Sequence, residues 1–169
     1  MAKFNIDTFR RRAYRKKKSL SSFIRKLGKS KKRNLYAQVL KADKEMWKEI
    51  NCLDCANCCK KMTPTYSKKD IDRISSHFNM TYKQFFDMWL EVDENKDIIN
   101  KSRPCQFLGK DNKCSIYAIR PLDCAEFPHT NRKDFKYQAK EKTYINNLAY
   151  CPATLVFVEK LEAAIGAEL

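Results

Sequence analysis

Cys52-Leu53-Asp54-Cys55-Ala56-Asn57-Cys58-Cys59 places four thiols within eight residues, and the rest of the chain is read outward from it. A C-x-x-C step sets two sulfurs where one tetrahedral cation takes both. Two such steps overlap here, and a fourth thiol adjoins them. Four more cysteines follow, Cys105, Cys114, Cys124 and Cys151, which makes eight. Eight thiols serve one four-thiolate site with spares, or two such sites. Adjacent side chains usually diverge, so Cys58 and Cys59 are expected to point to different places, one joining Cys52 and Cys55.

All eight cysteines are candidate metal ligands. Residue type leaves zinc and iron both open, because tetrahedral all-sulfur sites suit zinc and iron–sulfur clusters alike. A zinc ribbon needs a second C-x-x-C knuckle, and none is present. Ferredoxin-like C-x2-C-x2-C spacing fits Cys52, Cys55 and Cys58 but not a fourth position. His129 and His77 are the two nitrogen donors available. Lys60, Lys61, Arg103 and Arg120 stand near cysteines, where they offset the −2 formal charge of a divalent ion with four thiolates.

The 169 residues suit one domain with an extension. A 43% apolar content is enough for a core, and three glycines with five prolines argue for helices over a loop-rich β fold. The expected class is mainly α: a small, irregular, metal-organised helical domain with cysteine-bearing loops, and a basic N-terminal extension. The extension is assigned to residues 1–34 and the cysteine domain to 35–169. Of the 35 Lys and Arg, 17 lie in residues 1–50 beside only 4 Asp and Glu, so +13 of the net +15 sits there.

No signal-peptide run opens the chain and no stretch reaches transmembrane length, so a cytosolic location is expected. Thiols there stay reduced, which favours metal over disulfides. The extension holds Arg10-Arg11-Arg12 and Arg15-Lys16-Lys17-Lys18, interrupted by Phe4, Phe9, Tyr14, Leu20, Phe23, Ile24 and Leu27. The last four fit a short amphipathic helical turn. Two readings stand for this arm: contact with nucleic acid or an anionic surface through its charges, and a solvated arm.

From Asn34 to Ile50 a helical stripe of Leu35, Val39, Met46 and Ile50 leads into the cysteine motif. Ser67 with Asp70, and Thr81 with Gln84, read as capping boxes opening two helices. The first carries Ile71, Ile74 and Phe78 to about Asn79. The second is rich in Phe85, Phe86, Met88, Trp89 and Leu90 and is expected to centre the core. Glu91 to Ser102 reads as turn. Cys105 to Cys114 is either a short hairpin or irregular loop. Pro121 opens a helical turn holding Cys124. Residues 130–140 read as basic and exposed. Ile145, Leu148 and Ala149 form a helical piece, and an amphipathic helix over Ala153 to about Ala164 buries Leu155, Val156, Val158 and Leu161.

Cys-x-x-Cys-x-x-Cys-Cys, then Cys105-Gln-Phe-Leu, then Cys114-Ser-Ile-Tyr-x-x-Arg120-Pro121-x-x-Cys124-x-x-Phe127-Pro128, resembles the YkgJ-type cysteine-cluster family. The likeness runs over about residues 50–155. It implies zinc or iron chelation, with all eight cysteines matching the family's pattern. Ala56 stands where many members carry glycine, and the basic arm lies outside the shared region. No Ser/His/Asp set, phosphate-binding glycine loop or dinucleotide fingerprint is present. An iron–sulfur redox enzyme is the alternative reading; its chemistry would sit at the metal or at Cys59 beside it. Catalytic residues, substrate and protein partner are left unassigned.

Overall fold

A computed structural model of the chain describes residues 5–33, 35–140 and 142–169, with the side chain of Glu168 outside that description. Phe4 and Asn34, both named above, lie outside the described residues. In chain order the elements are α1 (Ile6–Lys29), α2 (Tyr36–Trp47), α3 (Cys52–Cys55), α4 (Asn57–Lys61), α5 (Lys68–His77), α6 (Tyr82–Trp89), β1 (Leu90–Val92), β2 (Ile98–Asn100), α7 (Leu122–Glu126), α8 (Phe135–Lys140), α9 (Thr143–Asn147) and α10 (Pro152–Ile165). The class is mainly α, as expected. Among the described residues no helix is long and apolar enough to cross a membrane.

The chain forms two compact units. The first joins Met1–Cys52 to Pro128–Leu169, and the second is Leu53–Phe127.

In the first unit α1 runs 24 residues, far beyond the expected turn. The Asn5 side chain caps it by accepting from the Asp7 and Thr8 amides at 3.0 and 2.9 Å. Phe9, Ala13, Leu20, Phe23, Ile24 and Leu27 are buried along one side. The dense charge had hidden this stripe, because its apolar positions are sparse between residues 9 and 20. α10 packs on α1 and α2, and α8 packs on α1. Gly28 allows that second contact: a Cβ there would lie 3.0 Å from the Lys140 nitrogen.

Two expectations for this unit are corrected. Residues 130–140 are not simply exposed: Thr130 is buried, α8 buries Phe135 and Ala139, and Tyr36 stacks on Phe135 at 6.3 Å. α10 is not amphipathic through its first half, since Pro152 to Val158 are all buried. The four residues expected to be buried there are buried. In α9 the burial falls on Tyr144 and Asn147, with Leu148 just beyond, and Ala149 is exposed.

In the second unit both capping boxes form as read, Ser67 with Asp70 and Thr81 with Gln84. The core gathers Tyr66, Ile71, Ile74, Phe85, Leu90, Phe107 and Ile116, flanked by Phe78, Trp89, Cys105 and Cys114. Burying each large side chain stabilises by roughly 1.5–3 kcal/mol. Phe78 stacks on Phe107 at 5.9 Å and Trp89 meets Phe85 edge-on at 4.9 Å, so the aromatics serve packing. Met88 is 54% exposed, and Leu90 leaves the helix for β1. The stretch read as turn is an antiparallel hairpin, with Leu90 opposite Asn100 and Val92 opposite Ile98. Strands of three residues carry no readable period.

Candidate metal centre

The cysteine motif is two short helical pieces, α3 and α4, broken at Ala56. That residue is buried with φ 49 and ψ 16, in the left-handed region. A glycine holds this conformation without penalty. The break separates α3 from α4, and α4 closes with the Met62 amide donating to the Cys58 oxygen at 2.8 Å.

Cys58 and Cys59 do not diverge. Their sulfurs lie 3.9 Å apart in thiol–thiol contact. With metal–sulfur bonds of about 2.3 Å, two corners of a zinc tetrahedron are about 3.8 Å apart. The adjacent pair therefore fits the edge of one thiolate site, contrary to expectation.

The downstream thiols are brought to the motif by backbone bonds. The Cys105 amide donates to the Cys59 oxygen at 2.9 Å. Between Cys105 and Cys114 the chain is neither a regular hairpin nor wholly irregular. One antiparallel bridge pairs Leu108 with Cys114, and the Gly109 amide donates to the Lys113 oxygen at 2.8 Å. A Cβ at Gly109 would lie 2.8 Å from an Asp111 carboxylate oxygen, which can swing aside, and 3.3 Å from the Lys113 carbonyl oxygen.

Cys124 sits inside α7, opened by Pro121 as read. Asp70 anchors that helix. Its carboxylate closes its own capping box and also accepts from the Leu122 amide at 3.1 Å and from Arg73 at 2.7 Å. The Thr65 amide donates to the Asp123 carboxylate at 3.0 Å. Sequence reading saw Asp70 as a cap only; a contact across 52 residues leaves no local signal.

Tyr66 is buried in the core of the same unit as these thiols. Its hydroxyl donates to Asn100 Oδ1 at 2.7 Å, and Gln106 Nε2 donates to the same oxygen at 3.0 Å. Asn100 went unmarked in the sequence, and Gln106 was quoted within the Cys105-Gln-Phe-Leu motif without a role of its own. Burial pushes the Tyr66 phenol well above its usual range, and Cys105, Cys124 and Cys114 push it further.

Contact with the Cys58 sulfur, then burial, pushes the Cys59 thiol up. Burial raises Cys105, with Cys59 and Cys114 adding to it. Burial raises Cys124 too, followed by Cys59, Asp123, Cys105 and Cys114. Cys114 is raised by burial and then by Cys59, while Arg120 lowers it. Cys55 is raised by burial, and among the thiols Cys59 acts on it. Lys60 pulls Cys55 and Cys59 down, so Lys60 and Arg120 do oppose the thiolate charge. Cys59 thus raises Cys105, Cys114 and Cys124, and Cys124 is raised by all of the other three. A cation is what lets such buried thiols ionise together.

Cys52 and Cys151 belong to the first unit, Cys52 half-buried at the start of α3 and Cys151 buried just before α10. No disulfide forms among the described residues. His129 also lies in the first unit, with φ 61, its carbonyl accepting from the Tyr144 hydroxyl at 3.3 Å. His77 is exposed at the end of α5, edge-on to Phe78. Among the described residues no three His, Cys, Asp or Glu side chains are drawn onto one point at ligating distance. The donor set itself, soft sulfur with cations nearby, is of the kind that zinc and iron take.

A mainly helical chain with six thiols in one 75-residue unit is a cysteine-cluster protein. The chain belongs to the CxxCxxCC family, described as a putative zinc- or iron-chelating domain, whose pattern matches residues 51–152. That bears out the likeness read from the motifs. An uncharacterized protein of Methanocaldococcus jannaschii is 30% identical over 86 residues, 47% of this chain. The match spans 44% of that relative's length. No solved structure matches the chain.

Proposed function

We propose that the second unit holds a zinc ion or an iron–sulfur centre on Cys59, Cys105, Cys114 and Cys124, and that this centre fastens the unit. One observation carries the reading: the Cys105 amide donates to the Cys59 carbonyl oxygen at 2.9 Å, which sets two cysteines 46 residues apart against each other. Cys58, with its sulfur 3.9 Å from that of Cys59, stands next to the set. Cys58 is assigned as a further ligand on that distance, and Cys52, Cys55 and Cys151 on the family's pattern alone. The bound group supplies positive charge that stabilises four thiolates at neutral pH. This chain's part is to bring the sulfurs together through the Cys59–Cys105 backbone bond, the Leu108–Cys114 bridge and the Asp70 anchor of α7.

Zinc makes the site a structural fastener; iron–sulfur adds redox chemistry to it. Elemental analysis with a visible spectrum on anaerobically purified protein tests the reading. The expected result is stoichiometric zinc in a colourless sample, or iron and sulfide in a brown one. Full-length protein holding only traces of both metals overturns it.

A further inference from the structure

Independently of the metal reading, the long helix α1 carries a second feature. At 100° per residue, Arg11, Arg15, Lys18, Arg25 and Lys29 fall on one line, opposite the buried stripe of Phe9, Leu20, Ile24 and Leu27. All five are exposed. The line extends over roughly 27 Å of helix. Arg12 and Lys16, at the edge nearer the core, pair with Glu159, and Arg10 pairs with Asp7. No carboxylate pairs with the five on the line among the described residues. Tyr14 projects beside them, 85% exposed.

The geometry points to single-stranded nucleic acid as the occupant of this face: the line of Arg and Lys tracks the phosphates and Tyr14 offers a stacking platform for an unpaired base. Charge complementarity favours a polyanion, and the row of cations matches an extended backbone better than a compact anion. A lone exposed aromatic among cations suits unpaired bases, which a duplex keeps stacked internally. A lipid surface fits less well. An interfacial helix inserts its apolar side, and that side of α1 is already buried in the core of the first unit.

The test uses the full chain and a labelled single-stranded RNA of mixed sequence, titrated at several salt concentrations. One variant carries Arg11→Gln, Arg15→Gln, Lys18→Gln and Arg25→Gln. A control of equal charge carries Lys41→Gln, Lys69→Gln, Lys110→Gln and Lys133→Gln, all exposed positions elsewhere. With unchanged thermal midpoints, the first variant is expected to bind at least tenfold more weakly. Its slope of log affinity against log salt becomes shallower by about 3, at about 0.7 for each phosphate no longer neutralised. The control stays within twofold of wild type. Tyr14→Ala loses fivefold or more on the single strand and nothing on a duplex of the same length. Full affinity in the first variant, equal loss in the control, or wild-type binding to phosphatidylserine vesicles without binding to RNA overturns the proposal.

Discussion

The Cys105 amide donates to the Cys59 carbonyl oxygen at 2.9 Å, so two segments 46 residues apart meet at cysteines through backbone alone. The contact forms without help from sulfur. Cys105→Ser therefore keeps this bond while removing one thiolate. The expected outcome is loss of bound metal and a lower melting midpoint, with the metal-stripped variant melting like the metal-stripped wild type. Full metal content in the variant, read by elemental analysis, would remove Cys105 from the ligand set.

Ala56 sits at φ 49 between the two halves of the cysteine motif. An L-residue there costs about 1–2 kcal/mol, and glycine avoids it at the price of some unfolded-chain entropy. Ala56→Gly is expected to stabilise by about 1 kcal/mol. For a chain of this size that raises the melting midpoint by about 2–4 °C. A lower midpoint in thermal scans contradicts the account of this position.

Gly28 shows the reverse balance. Replacing it with alanine within α1 would add about 0.5–1 kcal/mol of helix stability. The new Cβ would lie 3.0 Å from the Lys140 nitrogen and 3.2 Å from its Cα, both backbone atoms that cannot swing aside. Overpacking of this kind costs about 1–3 kcal/mol and outweighs the gain. Gly28→Ala is expected to lower the denaturant midpoint with the slope unchanged.

Asp70 makes stability depend on pH. Burial pushes its carboxyl up, but hydrogen bonds from Ser67, Arg73 and the Leu122 amide outweigh burial and hold it below the usual carboxylate range. A depressed folded pKa gives stability that is full above the unfolded carboxyl's value near 4 and is lost as pH falls through the folded value. Asp70→Asn is expected to cost about 1.5–3 kcal/mol at neutral pH, by loss of bonds to a charged acceptor. The gap between variant and wild type narrows in acid. Denaturant unfolding at several pH values reads both; a constant gap across that range contradicts the assignment.

What could be read from the sequence was local. Ser67 with Asp70 and Thr81 with Gln84 open their helices as expected, because a capping box is complete within four residues. Pro121 placed Cys124 in a helical turn for the same reason. The hairpin of Leu90–Val92 with Ile98–Asn100 escaped notice because alternation needs more than three residues to show. The burial of Phe135 and Ala139 was masked by Arg132, Lys133 and Lys136 around them. At the site, the cysteines announced themselves by spacing. The parts that gather them did not: Asp70 to Leu122 and Tyr66 to Asn100 are pairings that only the folded chain brings about. Cys58 and Cys59 were misjudged because the general tendency of neighbouring side chains gives way here to the turn of α4.

The central claim is that a bound cation fastens the thiols of the second unit. Its most direct test compares one preparation of reduced protein before and after chelator, with the thermal midpoint as the measurement. Stripping the metal is expected to lower the midpoint by several degrees, and adding back one equivalent of the same metal should restore it. A midpoint indifferent to both removal and return of metal would contradict the account.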